Sequence, residues 1–420
     1  MKITQFTEHP TVFHLIDDLK KEGIPQKSFS DVVDDKGHQY VELVMEGGGV
    51  LGVALIGYNY VLEQMGLRFF SLAGTSAGSI NALLLAALGD VSQPKAERLV
   101  EILANKNLME FVDGENSAKS FVKALIRGDG MMYMILKGMR VIGILRKDIG
   151  LNPGDDFLQW MTDILHDNGI STVADLERVF GKVPPSLKIR SGIDKSIIGL
   201  SPRFAVIAGD LTTESKVDFP RMAPLYWERP QEVNPAIFAR ASMSVPYFFR
   251  PLAIKDCPGG PEALLNWKEL ASFHGVPPQT AFFVDGGILS NFPMDIFHKQ
   301  NVVPRLPTFG VRLGVDRDTI NKITGPGNLF SSMFNSIRHL HDYDFILRNP
   351  DYKMLLEKID IGDHNWLNFA MDEESKIDLF VRGAKAAAAF VRRFDWDKYK
   401  QIRQTLRDSV LQIEQTQKEN

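Results

Sequence analysis

Two short apolar runs, each stopped by glycines and followed by a longer apolar stretch, set the pattern of this chain. Val41 to Met45 reads as a buried strand that ends at glycines 47 to 49, and Val50 to Met65 has the length and apolar content of a helix. The pattern repeats at once: Phe69 to Ala73 reads as a second strand, Gly74 to Gly78 as a turn and Ile80 to Leu88 as a helix. Strand, helix, strand, helix in this order predicts an α/β fold with a parallel sheet covered on both faces. Strand signals return at Arg203 to Ala208, Ala281 to Val284 and Thr308 to Leu313, giving at least five strands.

Around this core domain, residues 38–321, the pattern changes. Residues 1–37 read as an extension with one short amphipathic helix around Val12 to Lys21 and a polar stretch through Asp31, Asp34, Asp35, Lys36 and Gly37, with the ordered fold beginning after it. Residues 95–200 read as a largely helical insertion, with Leu99, Ile102 and Leu103 at helical spacing and a break at Asn152 to Gly154. Residues 322–420 read as a helical C-terminal extension. There Ile377, Phe380, Val381, Ala384, Ala388 and Val391 form one apolar stripe, which predicts a helix packed on the body.

Composition narrows the class. Hydrophobic residues at 44% and charged residues at 24% suit a globular enzyme and exclude a disordered or collagen-like chain. With 48 basic and 52 acidic residues and no basic block, no nucleic-acid partner is expected. Cys257 is the only cysteine, so no disulfide forms within the chain and a reducing compartment is the natural reading. Glu8, His9, Asp17 and Asp18 interrupt any secretory signal, so a cytoplasmic protein is expected, with peripheral membrane contact left open. No run reaches the ~18 to 20 apolar residues of a membrane span. The nearest, Met131 to Leu145, contains Lys137 and Arg140; it reads either as an interfacial lid or, the reading its Met and Ile spacing favours, as a core helix.

The candidate chemistry sits at the two glycine breaks. Gly74-Thr75-Ser76-Ala77-Gly78 is a G-x-S-x-G element between a predicted strand and a predicted helix, where small neighbours permit a sharp turn that presents the serine hydroxyl. The bland alternative is that Ser76 only caps the helix. In Glu46-Gly47-Gly48-Gly49-Val50-Leu51-Gly52, successive glycines expose backbone N–H groups able to hold the oxyanion of an acyl-transfer intermediate. Gly47, Gly49 and Gly52 also satisfy a dinucleotide-binding pattern, but that fold needs an acid about 20 residues on. Between Glu46 and Asp90 the only acid is Glu63, inside the predicted helix. A phosphate-binding Walker loop is excluded because Val53 follows Gly52 where lysine is required.

A serine nucleophile needs a base. His9, His14 and His38 precede the core, His166 lies in the insertion, His274 and His298 flank a strand, and His339, His341 and His364 fall near C-terminal helices; none sits in a loop that marks a catalytic partner. No metal or cofactor is expected either, because the histidines show no ligand spacing such as H-E-x-x-H. Asp285, followed by Gly286 and Gly287, stands at the carboxyl end of an apolar strand, where open parallel sheets place active sites. Capping a turn is the other role open to it. A carboxylate near its unperturbed value of ~3.9 is a weak base, which throws much of the catalysis onto oxyanion stabilisation.

In this order, Glu46 to Gly52, Gly74 to Gly78 and Asp285-Gly286-Gly287 resemble the signature blocks of patatin-like phospholipases, and Ala239 to Phe249 looks like the segment preceding the aspartate in that family. The resemblance covers about residues 41–314. It implies a patatin-like three-layer α/β/α fold with a mostly parallel central sheet. It also implies a Ser-Asp dyad carried by Ser76 and Asp285, an oxyanion hole from Gly47, Gly48 and Gly49, and cleavage of acyl esters of phospholipids or related lipids at a membrane or micelle surface. Leu51 departs from the Arg or Lys common there, and Glu46 replaces the usual Asp. The competing function is a non-catalytic lipid- or nucleotide-binding module that uses the glycine loop as an anion nest.

Overall fold

The computed structural model describes residues 1–116, 149–190, 200–299, 301–314 and 344–419, with 320, 323, 332 and 336. Met131 to Leu145, His339 and His341 lie outside the described residues. Helices α1 (Thr4–Thr7) and α2 (Pro10–Lys21) precede strands β1 (Val32–Val33) and β2 (Gln39–Met45). Then come α3 (Gly52–Gln64), β3 (Leu67–Thr75), α4 (Ala77–Ala87) and α5 (Ala96–Asn105). The insertion contributes β4 (Gly150–Asn152), α6 (Asp155–Asp167), α7 (Val173–Phe180) and β5 (Lys188–Ile189). The chain returns through β6 (Phe204–Asp210), β7 (Ser215–Phe219), α8 (Ala236–Ser242), β8 (Tyr247–Phe249), β9 (Leu252–Lys255), α9 (Gly260–Ala271), β10 (Thr280–Asp285) and β11 (Thr308–Leu313). It ends with β12 (Leu356–Ile359), α10 (Glu373–Arg393) and α11 (Trp396–Glu419).

The main sheet runs β12-β11-β2-β3-β6-β10-β9. From β12 to β6 each neighbouring pair is parallel, whereas β10 lies antiparallel to both β6 and β9. All nine residues of β3 are buried, and α3 and α4 are apolar around nearly their whole circumference. Such helices need cover on every side, and they find it between the sheet and outer helices.

Both extensions belong to this core. The expectation that the ordered fold begins after residue 37 is corrected: α2 buries Val12, Ile16 and Leu19, and β1 pairs with β2 and β5. The described part of the C-terminal extension carries α10 and α11, and it also supplies β12, which extends the sheet parallel to β11. Helices α3 and α10 pack backbone to backbone. A Cβ on Gly57 would overlap the carbonyl of Phe380, and one on Gly383 would overlap that of Ala54.

Candidate active site

Ser76 sits in the tight turn between β3 and α4. Its backbone has φ 51° and ψ −119°, a conformation that strains a residue with a side chain. The flanking glycines are required by space: a Cβ on Gly78 would overlap the carbonyl of Met45, and one on Gly74 would overlap the backbone of Gly78. The Ser76 N–H donates to Ser242 Oγ at 2.8 Å, and that hydroxyl donates onward to the Ile207 carbonyl of β6 at 2.6 Å. The Ser76 hydroxyl makes no capping bond to α4, so the helix-cap alternative does not describe it, while its position at the helix N-terminus exposes it to positive potential.

Asp285 reaches the same place from the opposite direction. A strand has two edges, and along 206–210 one edge of β6 is taken by β7. The other is shared by β3, whose last residue Thr75 pairs with Ile207, and β10, whose last residue Asp285 pairs with Ala208. The two strands therefore run head-on along one edge and stop at adjacent residues of β6, with Ser76 following Thr75 at the seam. The expectation that Asp285 ends a parallel strand is thereby corrected. Its strand is antiparallel, and it reaches the seam because β10 stops there. The Asp285 N–H donates to the Ser244 carbonyl at 2.8 Å, and its Oδ1 accepts the Gly287 N–H at 2.7 Å, so one carboxylate oxygen also fills the turn-capping role. Gly286 is tight against β6, where a Cβ would overlap the Ile207 carbonyl.

Ser242 and Ser244, at the end of α8 and just beyond it, thus clip the serine turn and the aspartate together. Arg240 fixes this segment by donating to Ser244 Oγ, the Pro153 carbonyl and, at 3.0 Å, the Arg250 carbonyl. Burial pulls its guanidinium down to about 10, which leaves it cationic at neutral pH.

The glycine loop joins the seam through Asn291. Gly47 donates its N–H to the Asn291 carbonyl at 3.1 Å, and Asn291 Nδ2 donates to the Gly47 carbonyl at 3.2 Å. This N–H is therefore engaged, which corrects the expectation that all three glycines face an oxyanion. Gly48 and Gly49 donate their N–H groups to no other described residue. Gly49 adopts φ 56° hard against the Trp366 carbonyl, which accepts the Val50 N–H at 3.1 Å, so the C-terminal extension helps shape the loop. Gly52 lies against Ala77 and Asn81, close enough that its Cβ would stand 3.1 Å from the Ala77 Cβ, which ties the loop to α4. Glu46 accepts from Leu313 N at 2.6 Å and Asn291 Nδ2 at 3.2 Å, tying the end of β2 to β11. Leu51 is buried, and the Arg312 guanidinium lies 3.6 Å from Glu46 at the base of the loop.

A narrow apolar cavity of about 70 Å³ opens on Ser76, walled by Gly49, Ile80, Leu108, Phe111, Met243 and Phe248 among others. Among the described residues no histidine lines it. Three histidines are engaged elsewhere: His38 with Asp34, His298 with Tyr352 and His364 with Asp378. No group of three His, Cys, Asp or Glu among the described residues is arranged to hold a metal, and no described helix is long and apolar enough to cross a membrane.

The uncharacterized protein YqhO of Bacillus subtilis (strain 168) is 29% identical to this chain over 359 residues, covering 85% of the chain and 100% of the relative. The crystal structure of VipD from Legionella pneumophila superposes with a TM-score of 0.40 at 13% identity, covering 88% of this chain and 70% of that one. A patatin-like phospholipase sequence profile matches residues 43–298, which span the glycine loop, the serine turn and the aspartate. The chain belongs to the patatin-like phospholipase family.

Proposed function

We propose that this protein is a serine lipid acyl hydrolase with a Ser76–Asp285 dyad. The observation that carries the reading is the head-on meeting of β3 and β10 along one edge of β6, which brings a strained serine and a carboxylate to one seam. Ser76 Oγ attacks the ester carbonyl and Asp285 takes its proton. The oxyanion of the tetrahedral intermediate accepts from Gly48 and Gly49 N–H, with the N-terminus of α4 adding positive potential. Collapse expels the alcohol, which recovers the proton from Asp285, and water then hydrolyses the acyl-serine by the same route. Gly47 holds the loop rather than the oxyanion.

The substrate is an acyl ester presented at a membrane or micelle surface. The apolar lining beside Ser76 supports this, as do the exposed side chains of Ile149, just before β4, and of Tyr247, the first residue of β8, whose Phe248 and Phe249 line the cavity. The test uses phospholipid vesicles of defined composition and a fluorophosphonate probe. Wild type releases fatty acid and is labelled at Ser76; Ser76→Ala does neither; Asp285→Asn folds normally and loses orders of magnitude in kcat. Turnover near wild type in Asp285→Asn would remove the dyad, and unchanged turnover in Ser76→Ala would remove the hydrolase mechanism.

A further inference from the structure

Across β6 from the catalytic seam lies a larger pocket that the proposed reaction does not use. It holds about 440 Å³, within the range of small-molecule sites, and shares no described wall residue with the cavity on Ser76. Asp218 of β7 stands in its wall and pairs with Ile207 on one edge of β6, whereas Thr75 pairs with Ile207 on the other. Much of the wall is apolar: Leu176 and Phe180 come from α7, Phe204 from the start of β6, and Pro220 and Pro224 from the loop after β7. One side is cationic. Arg221 donates from Nε to Asp218 Oδ2 at 2.9 Å, and Arg203 Nη2 stands 3.8 Å from the same oxygen. Asp218 is buried, so it anchors the Arg221 guanidinium by its Nε, while both arginine side chains are about half exposed. The two terminal amino groups of Arg221 donate to no other described residue, which leaves that edge of its fork open.

We propose that this pocket binds an amphipathic carboxylate, the class of product that the proposed hydrolysis releases, with the carboxylate on Arg221 and Arg203 and the chain on the apolar wall. The link to the reaction rests on the hydrolase reading above; the binding does not. A carboxylate matches the open fork of Arg221 as a bidentate pair, and a guanidinium already held by a buried partner gives up little freedom on binding. Charge chooses between anions. Among the described wall residues, Arg203 and Arg221 are balanced by Asp218 and the exposed Glu177, so the pocket favours a single negative charge placed by geometry over a phosphate dianion. The tail is held by taking apolar surface out of water, worth about fourfold in affinity for each methylene fully buried.

The experiment is calorimetric titration of the full chain with octanoate, octan-1-ol, acetate and inorganic phosphate, in wild type, Arg221→Gln, Arg221→Lys and Arg203→Gln. Wild type is expected to bind octanoate roughly tenfold or more tightly than the alcohol, acetate or phosphate, and Arg221→Gln to lose roughly tenfold or more of that affinity. Arg221→Lys is expected to fall between the two, since lysine keeps the charge without the fork. Octanol affinity is expected to stay unchanged, which reads out an intact apolar wall. Where Arg221→Gln loses octanol as well, the wall has unfolded, and Arg221→Lys, which keeps a cation beside Asp218, decides. Octanoate bound by every variant as by wild type places the ligand elsewhere and overturns the proposal. Acetate or phosphate bound through Arg221 as tightly as octanoate makes this a simple anion site and overturns the amphipathic ligand. Octanoate binding that depends on Arg221 in a protein that cleaves no ester supports the pocket and overturns the dyad alone.

Discussion

Ser242 is a single hydroxyl on which the serine turn depends. It is fully buried, accepts the Ser76 N–H and donates to Ile207 of the sheet, so it holds a strained residue against β6. Truncation to alanine takes the side-chain acceptor from the buried Ser76 N–H, at a cost of roughly 1–3 kcal/mol, and lets the turn relax. Ser242→Ala is therefore expected to lower kcat about ten- to a hundredfold with little change in KM, as measured by steady-state ester hydrolysis, and to slow fluorophosphonate labelling in parallel. A fall in thermal stability with unchanged kcat would reduce Ser242 to a structural role. The sequence exposes Ser76 through its glycines; Ser242 falls in the Ala239 to Phe249 segment that resembles the family, but nothing there gives its hydroxyl a role. Its partner Ser76 is 166 residues away along the chain, and Ser242 shares its segment with Arg240 and Ser244, so neither spacing nor composition singles out its hydroxyl. Asn291 and Trp366 escape notice for the same reason, since each acts on the glycine loop from a distant segment.

Among the elements, what local pattern decides was legible. Strands β2 and β3 and helices α3 and α4 follow from apolar runs closed by glycines, because burial on both faces leaves that signature. Strand direction leaves none. The run ending in Asp285 reads the same whether β10 is parallel or antiparallel, so the sequence pointed to the residue for a reason the sheet does not share. Strand β12, only Leu356–Ile359 with Glu357 and Lys358 inside it, is too short and too charged to stand out. The stripe on α10 was legible, but the close approach it serves was not, because Gly57 and Gly383 read as weak points in helices. A helical Gly→Ala change ordinarily stabilises by about 0.5–1 kcal/mol. Here both positions press on a carbonyl of the facing helix, so the sign inverts. Gly57→Ala and Gly383→Ala are each expected to destabilise by roughly 1–3 kcal/mol, read as a lower urea midpoint at unchanged slope. A raised midpoint would mean that the two helices leave room for a methyl group at their crossing.

Across the whole molecule, buried and half-buried acidic groups away from the seam make folding stability depend on pH. Glu42, in the middle of β2, accepts from Thr308 Oγ1 at 2.5 Å, and burial pushes its carboxyl up to about 7, only partly offset by that bond and by Lys299 and Arg203. Burial raises Glu63 and Asp218 in the same direction. A carboxyl that titrates near 7 when folded and near 4.5 when unfolded holds its proton in the folded state across that interval and has lost it in the unfolded chain. The unfolded state then binds fewer protons, so stability falls as pH rises from about 4.5 to 7 and levels off above. The Glu42 share is at most about 3.5 kcal/mol, since a tenfold difference in proton affinity between the folded and unfolded states is worth about 1.4 kcal/mol. Glutamine keeps an acceptor for Thr308 and has no proton to lose. Glu42→Gln is therefore expected to be more stable than wild type at pH 8 and to lose less stability between pH 5 and pH 8, measured by urea unfolding at each pH. Equal pH slopes in the two proteins would show that Glu42 is ionised in the folded state throughout, with its charge balanced by Lys299 and Arg203.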